Sequence, residues 1–340
     1  MHKYRLILFS LLIPACTGGS GEKSPDSDAT PSPGAEHSDA GPELLTVDCA
    51  TIPDVPSSVR TMPGARGYHG LLVTEEGKLL GSNGSSVISS SYAGETSLFA
   101  TNTGLGEQMA FLPDGDIVMQ TDDGHLTRIT STGSQSTLSP KVGAYGVVVG
   151  PDDFIYTASW DGQVNRIDPV TGAKERFSIN LGKLHPHSLG FSPDGERLYI
   201  GTIPGIIDDT FGGTGPTGDS LFYIDADSNG SFDGEPKALS SAGGWHDAIG
   251  VDACGNLYVP DFFDQVLYRI APNGQAKVLW TPPNKEDYVH GIVWGNDKGG
   301  WRSDAIYLPQ SYNDNTVLEL VIGVPSSEFA GNVINAIAPL

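Results

Sequence analysis

The alternation of apolar and polar positions between residues 247 and 274, DAIGVDACGNLYVPDFFDQVLYRIAPNG, sets the period for most of the chain. Three short runs alternate, at 248–251, 257–260 and 265–270, and a fourth follows at 276–280. Cys254-Gly255-Asn256, Phe262-Phe263-Asp264 and Pro272-Asn273-Gly274 break them. Period-two alternation bounded by Gly, Pro, Asn and Asp signals antiparallel strands joined by tight turns. Four such strands in sequence make one propeller blade.

The first turn of this unit recurs at Gly77, Gly115, Asp153, Gly195 and Gly255, at spacings of 38, 38, 42 and 60 residues. A sixth unit opens with HGIVWGND at His290. A fixed period of this kind outranks local propensity. It predicts an all-β chain, a six-bladed β-propeller of four-stranded blades over residues 44–340. The blades fall near 69–102, 107–140, 145–181, 187–241, 247–283 and 290–323. Ser58–Met62 precedes the first inner strand, where every other blade has its outer strand, so an N-terminal strand is predicted to close blade 6. Such closure leaves no free sheet edge. The step of 60 contains an insertion, TIPGIIDDTFGGTGPTGD, between the second and third strands of blade 4. Loops of that length are usually functional when ordered, and this one is expected to wall or cover the face where the inner strands begin. Residues 324–340 carry no pattern that places them.

The first 43 residues belong to a different class. Lys3 and Arg5 precede an apolar stretch, 6–13, too short to cross a bilayer as a helix, which reads as a signal peptide over 1–15. Ile13-Pro14-Ala15-Cys16 resembles a bacterial lipobox, so Cys16 is the expected acylation site and new N-terminus. Residues 16–43 are rich in Gly, Ser, Pro, Asp and Glu and are expected to be a disordered acidic linker. The expected location is therefore the bacterial cell envelope, lipid-anchored, facing the periplasm or at the outer membrane. Formal charge is −22, and the leader holds two of the 19 cationic residues. That balance excludes nucleic acid as a partner and restricts membrane contact to the anchor. A monomer acting on a small molecule is expected.

Two cysteines remain, Cys49 and Cys254, and an exported chain with two suggests one disulfide. Cys254 lies in the turn after the inner strand of blade 5. The chain entering Ser58–Met62 approaches from the same face, beside blade 5, so the two should meet.

Candidate chemistry emerges when the blades are aligned on the first turn. Eight positions before it stand His69, Glu107, Tyr145, His187 and Asp247, and the HGIV start adds His290. Inner strands converge on the axis, so these six side chains should ring one end of the channel. A wet channel lined by polar residues needs no metal. Yet five of the propeller's histidines, His69, His185, His187, His246 and His290, lie at or beside these positions, and only His125 lies elsewhere. The expected metal ligands are His69, His187, Asp247 and His290, and the expected catalytic groups Asp247, Glu107 and Tyr145. Imidazole ligands favour Zn, Mn or Fe over calcium. Asp225, Asp227, Asn229 and Asp233 space alternate oxygens like a calcium loop, although a polar hairpin turn has the same composition. Trp160, Phe262 and Phe263 stand in turns on the ring face, where they could contact an apolar ligand or simply pack.

Blades 4 and 5, HSLGFSPDGERLYIG…LFYIDADSNGSFDG and DAIGVDACGNLYVPDFFDQVLYRIAPNG, resemble the senescence-marker-protein/gluconolactonase/luciferin-regenerating family. The resemblance implies a six-bladed propeller with a divalent metal on the axis and lactone hydrolysis. It implies ligands at His69, His187 and Asp247, where the family has Glu, Asn and Asp. Only the Asp is retained, which shifts the expected metal and weakens a sugar-lactone assignment. The reading is a metal-dependent hydrolase of lactone or ester type. The alternatives are a non-catalytic surface lipoprotein that binds a partner or glycan, and a propeller lyase.

Overall fold

The computed structural model describes residues 47–104, 106–121, 123–143, 145–159, 161–204, 218–284 and 287–327. The signal peptide, Cys16, the linker, Trp160, positions 205–217 of the insertion and positions 328–340 of the tail lie outside the described residues.

The six alternating units form six four-stranded antiparallel sheets. A lone strand, β1 (Ser58–Met62), comes first. Blade 1 is β2 (Leu71–Val73), β3 (Leu79–Ser82), β4 (Val87–Ser90) and β5 (Thr96–Ala100). Blade 2 is β6 (Gly106–Phe111), β7 (Ile117–Thr121), β8 (Leu126–Ile129) and β9 (Gln135–Ser139). Blade 3 is β10 (Val147–Val149), β11 (Ile155–Ser159), β12 (Gln163–Ile167) and β13 (Lys174–Ser178). Blade 4 is β14 (Leu184–Phe191), β15 (Arg197–Pro204), β16 (Leu221–Asp225) and β17 (Lys237–Ser240). Blade 5 is β18 (Gly250–Val251), β19 (Leu257–Asp261), β20 (Val266–Ile270) and β21 (Ala276–Trp280). Blade 6 is β22 (Val293–Trp294), β23 (Ala305–Gln310) and β24 (Thr316–Val321), completed on its outer edge by β1.

The apolar faces pack blade against blade. Among the described residues, six buried clusters serve the six interfaces. Leu198 and Ile200 of blade 4 pack with Tyr156 and Val164 of blade 3, and Tyr258 and Leu267 of blade 5 pack with Ile306 and Leu318 of blade 6. The cluster of Met62, Leu71, Leu79, Trp301 and Tyr307 joins blade 6 to blade 1, so the ring is closed.

The seam is where the N- and C-terminal parts of the repeat meet. β1 pairs antiparallel with β24, from Ser58 opposite Val321 to Met62 opposite Val317. Arg60 Nε on β1 donates to Glu319 Oε1 at 2.6 Å. Glu319 is buried, and the Tyr92 and Tyr307 hydroxyls each donate to its Oε2 at 2.8 Å. A second tie lies on the face opposite the ring, where Cys49 and Cys254 are disulfide-bonded with Cα atoms 5.6 Å apart across 205 residues. In the chain-entropy picture, closing so long a loop contributes on the order of 4–5 kcal/mol. The start of the tail is placed as well: Val324 accepts from Trp294 Nε1 at 2.9 Å, and Ser326 bridges Asp252 beneath blade 5.

Burial opposes the charge on Glu319, but Arg60 and the two tyrosines hold its pKa below the usual carboxylate value. A depressed carboxylate stabilises the fold above the unfolded-state pKa, and that stability is lost as pH falls through the folded value. Denaturant unfolding from pH 7 down to pH 3 should therefore show a loss that Arg60→Ala reduces. At neutral pH that variant should cost about 1–3 kcal/mol. A variant whose stability falls with acid in parallel with the parent would contradict the assignment.

Candidate active site at the mouth of the channel

His69, Tyr145, Asp247 and His290 stand two or three residues before an inner strand, whereas Glu107 and His187 lie inside β6 and β14 and are aimed by irregularities. In β14 the register slips between Pro186 and Ser188, which leaves His187 as the extra residue of a bulge. In β6 it slips between Gly106 and Met109, around Glu107 and Gln108. Bulges of this kind re-aim side chains beside functional sites. His187 was expected to open its strand, but the bulge lets β14 begin three residues earlier, at Leu184. Glycines beside the other ring residues let neighbouring blades approach. A Cβ on Gly291 would lie 1.9 Å from the His69 carbonyl oxygen, one on Gly70 2.5 Å from that of Glu107, and one on Gly146 2.7 Å from that of His187.

All six residues belong to one connected cluster. His69 Nδ1 bonds the Glu107 carboxylate. The His69 and His290 rings stack with centroids 4.4 Å apart. His290 Nδ1 lies 3.0 Å from Asp247 Oδ2, which also accepts the Tyr288 hydroxyl at 2.6 Å. Asp247 Oδ1 lies 3.8 Å from His187 Nδ1, and the His187 ring contacts Tyr145 at a centroid distance of 4.2 Å.

The histidines share one mode of attachment. His187 Nδ1 is 2.9 Å from the backbone carbonyl of His246, an oxygen that can only accept, so Nδ1 carries the proton. His69 and His290 place Nδ1 on carboxylates in the same sense. In each ring Nε2 is therefore the unprotonated nitrogen. His290 Nε2 is buried and has no hydrogen-bond partner among the described residues. His246 has the opposite assignment, with Nε2 donating to the Ala242 carbonyl at 2.9 Å. It packs beside Asp261, which accepts the backbone N–H groups of Gly244 at 2.7 Å and Trp245 at 2.8 Å. That carboxylate folds the segment whose carbonyl holds His187.

The protonation states follow from burial. Burial pushes the His290 and His187 pKa values below the ordinary imidazole value, and His69 beside His290 adds to that, so both are neutral. Burial also opposes the charge on Asp247, yet His290, His187 and Tyr288 together hold its pKa below the usual carboxylate range. Tyr145 is raised above the ordinary phenol value, chiefly by burial and then by Glu107 and Asp247, and keeps its proton.

The expected metal set comes together differently from expectation. Asp247 uses Oδ2 for Tyr288 and His290, and Glu107 is taken by His69, so the carboxylates anchor imidazoles. Among the described residues no group of three or more His, Cys, Asp or Glu is gathered to hold an ion. Glu107 and Asp247 Oδ2 are thereby occupied, Asp247 Oδ1 lies 3.8 Å from His187 Nδ1, and the three imidazoles retain the nitrogen a borderline transition ion takes.

The residues of the calcium-loop pattern have other partners in this structure. Asp225 pairs with Arg197 at 2.8 Å and Lys237 at 2.6 Å. Asp227 Oδ1 caps its own turn through the N–H groups of Asn229 and Ser231, both at 2.8 Å, while Asn229 Nδ2 bonds Asp227 Oδ2 at 3.3 Å and Asp233 is exposed. The segment is a polar hairpin turn.

Aromatic residues that register alone did not single out complete the mouth. Tyr68 stacks on His69 at 4.2 Å, Trp245 meets His187 edge-on at 6.1 Å, and Tyr312 meets His290 at 5.3 Å. Phe262, anticipated on this face, lies 6.1 Å from His290, and Phe263 lies 6.3 Å from Trp245. Tyr68 and Tyr288 sit one and two residues before a ring histidine, a signal available in the sequence.

No family model matches the chain, and no curated protein matches it. Solved structures do. A gluconolactonase from Xanthomonas campestris superposes with TM-score 0.59 at 15% identity, covering 79% of this chain and 89% of that one. Regucalcin from Agrobacterium tumefaciens, a calcium-binding protein, gives 0.59 at 15%, covering 80% and 96%. A luciferin-regenerating enzyme gives 0.60 at 15%, covering 79% and 96%. The chain has the fold of the gluconolactonases and regucalcins. At these identities the likeness establishes the six-bladed propeller and nothing of the chemistry, and it agrees with the resemblance carried by blades 4 and 5.

The close approach at the seam gives a direct test. Gly291→Ala places a methyl against the His69 carbonyl and should cost about 1–3 kcal/mol as blades 6 and 1 part. The His69–His290 stack should loosen with it. Unchanged melting and unchanged histidine chemical shifts would contradict this.

Proposed function

We propose that the ring hydrolyses a lactone or related ester. The observation that carries this reading is the His290–Asp247 pair, a neutral imidazole oriented through Nδ1 by an ionised carboxylate, with Nε2 unpartnered. A base held by an orienting acid is the arrangement that activates water. Once the surrounding rings give way to admit substrate and water to His290 Nε2, which is buried in this structure, it takes a proton from water as the water oxygen bonds the ester carbonyl carbon. The Nδ1 proton stays on His290, hydrogen-bonded to Asp247, whose charge stabilises the imidazolium. The acyl carbon–alkoxy oxygen bond then breaks, and His290 returns the proton to the leaving oxygen, giving a hydroxy acid from a lactone. Tyr145, protonated at neutral pH, supports the carbonyl oxygen as charge develops. Glu107 holds His69 behind His290. Gluconolactonase among the structural neighbours agrees in reaction class.

One observation favours a second reading. Nδ1 anchoring of three imidazoles is also how metal-binding histidines are held. His69, His187 and His290 would present Nε2 to Zn, Mn or Fe, and such an ion would polarise the carbonyl. We further infer export and lipid anchoring through Cys16, with a monomer facing the periplasm. The Cys49–Cys254 bond supports an oxidising compartment.

Initial rates on a panel of lactones and aryl esters, with metal content measured on the same preparations, test both readings. His290→Ala and Asp247→Asn should each lower kcat by about a hundredfold or more. Parent-like rates in His290→Ala would remove the base assignment. Stoichiometric transition metal, lost in the His69→Ala and His187→Ala variants together with activity, would select the second reading.

A further inference from the structure

His290 Nε2 is buried and meets no hydrogen-bond partner among the described residues, so the side chains around it decide which molecule can reach it. On the side of blades 5 and 6 those side chains are aromatic. Tyr312 stands 5.3 Å from the His290 ring between centroids, and Phe262 stands 6.1 Å from it and 6.5 Å from Tyr312. Trp245 follows at 5.1 Å from Phe262, and Phe263 at 6.3 Å from Trp245.

The rings differ in how they are held. The Phe262 N–H donates to the Trp245 carbonyl at 2.8 Å, and buried Asp261 accepts the N–H groups of Trp245 and Asp264, both at 2.8 Å. Phe262 and Trp245 are half-buried and form one backbone-tied platform. Tyr312 stands in the turn 311–315 between β23 and β24 and is 57% exposed. It is therefore the ring that swings aside at least cost, and it then lies over whatever rests on Phe262. Aromatic faces and edges at such spacings favour another aromatic ring between them.

The polar side chains nearby are spent on each other. Asn313 Nδ2 donates to Asp287 Oδ1 at 2.9 Å, and Asp264 Oδ2 accepts the Tyr268 hydroxyl at 2.6 Å. A polyhydroxylated lactone would lose its water there without matching partners. Asp247 and Glu107 behind the imidazoles disfavour an anionic side group.

We propose that the substrate of the ring carries an aryl group, seated on Phe262 and Trp245 and covered by Tyr312, with its carbonyl at His290 Nε2. For its reaction this rests on the hydrolase reading; the aryl selectivity stands on binding alone.

Two measurements on the full chain keep these apart. The first is kcat/KM for γ-phenyl-γ-butyrolactone, γ-propyl-γ-butyrolactone and gluconolactone. The first two leave as alkoxides of similar reactivity, so their ratio reports the side group. The phenyl lactone should lead the propyl by about tenfold or more, with gluconolactone below both. Phe262→Leu and Tyr312→Leu should each lower the phenyl-to-propyl ratio severalfold. Tyr312→Leu changes an exposed residue and decides the matter should Phe262→Leu fail to fold. The second is titration calorimetry with the matching lactams, 5-phenyl- and 5-propylpyrrolidin-2-one, which bind without being hydrolysed. The phenyl lactam should bind more tightly, with the same dependence on Phe262 and Tyr312. Phenyl-selective binding without turnover of any lactone would remove the hydrolase reading and keep the aryl site. Equal binding of the two lactams, no saturable binding, faster turnover of gluconolactone, or parent-like ratios in Tyr312→Leu would overturn the proposal.

Discussion

The contact on which the site depends is the approach of each inner strand to the next at the ring. Gly291 faces the carbonyl of His69, Gly70 that of Glu107 and Gly146 that of His187, all at separations no side chain tolerates. Only backbones that close can place His69 against His290 and Tyr145 against His187. Closure at the seam between blades 6 and 1 makes this a constraint on the whole ring. It is held from outside by β1 on β24 and by the buried Glu319, and from below by the Cys49–Cys254 bond. Apolar burial between blades supplies most of the driving force. The polar seam fixes which ends meet.

That geometry joins six polar residues into one array of hydrogen bonds and ring contacts. Their carboxylates are spent on imidazole Nδ1 atoms, so Asp247 and Glu107 act as orienting groups. Low dielectric sharpens the effect, since a buried neutral histidine beside an ionised carboxylate keeps its proton on the bonded nitrogen. At His290 the other nitrogen has no hydrogen-bond partner among the described residues. Asp261 extends the logic one layer outward by folding the segment that presents the His246 carbonyl to His187.

Much of this was legible in the chain. Alternation and turn glycines recur at a fixed period, which fixed the blade number, the donated strand and the ring positions. The pairing of Cys49 with Cys254 followed from that topology. The calcium loop was not legible, because Asp and Asn at alternate positions serve a capped turn and an ion equally. Arg197, 28 residues before Asp225, decided between them across the sheet. The partners of Asp247 were hidden for a similar reason: residue type says carboxylate, but that its Oδ2 meets a phenol and an imidazole depends on Tyr288 and His290 from the neighbouring blade. The bulge at His187 left no mark beyond Pro186.

The central claim is that the ring histidines are neutral and carry their proton on Nδ1. Nitrogen-15 NMR of histidine-labelled protein at neutral pH measures this directly, because protonated and bare ring nitrogens differ widely in shift. The account predicts Nδ1–H signals with unprotonated Nε2 for His187 and His290, and the reverse for His246. Nε2–H signals or imidazolium shifts for His187 and His290 would contradict it.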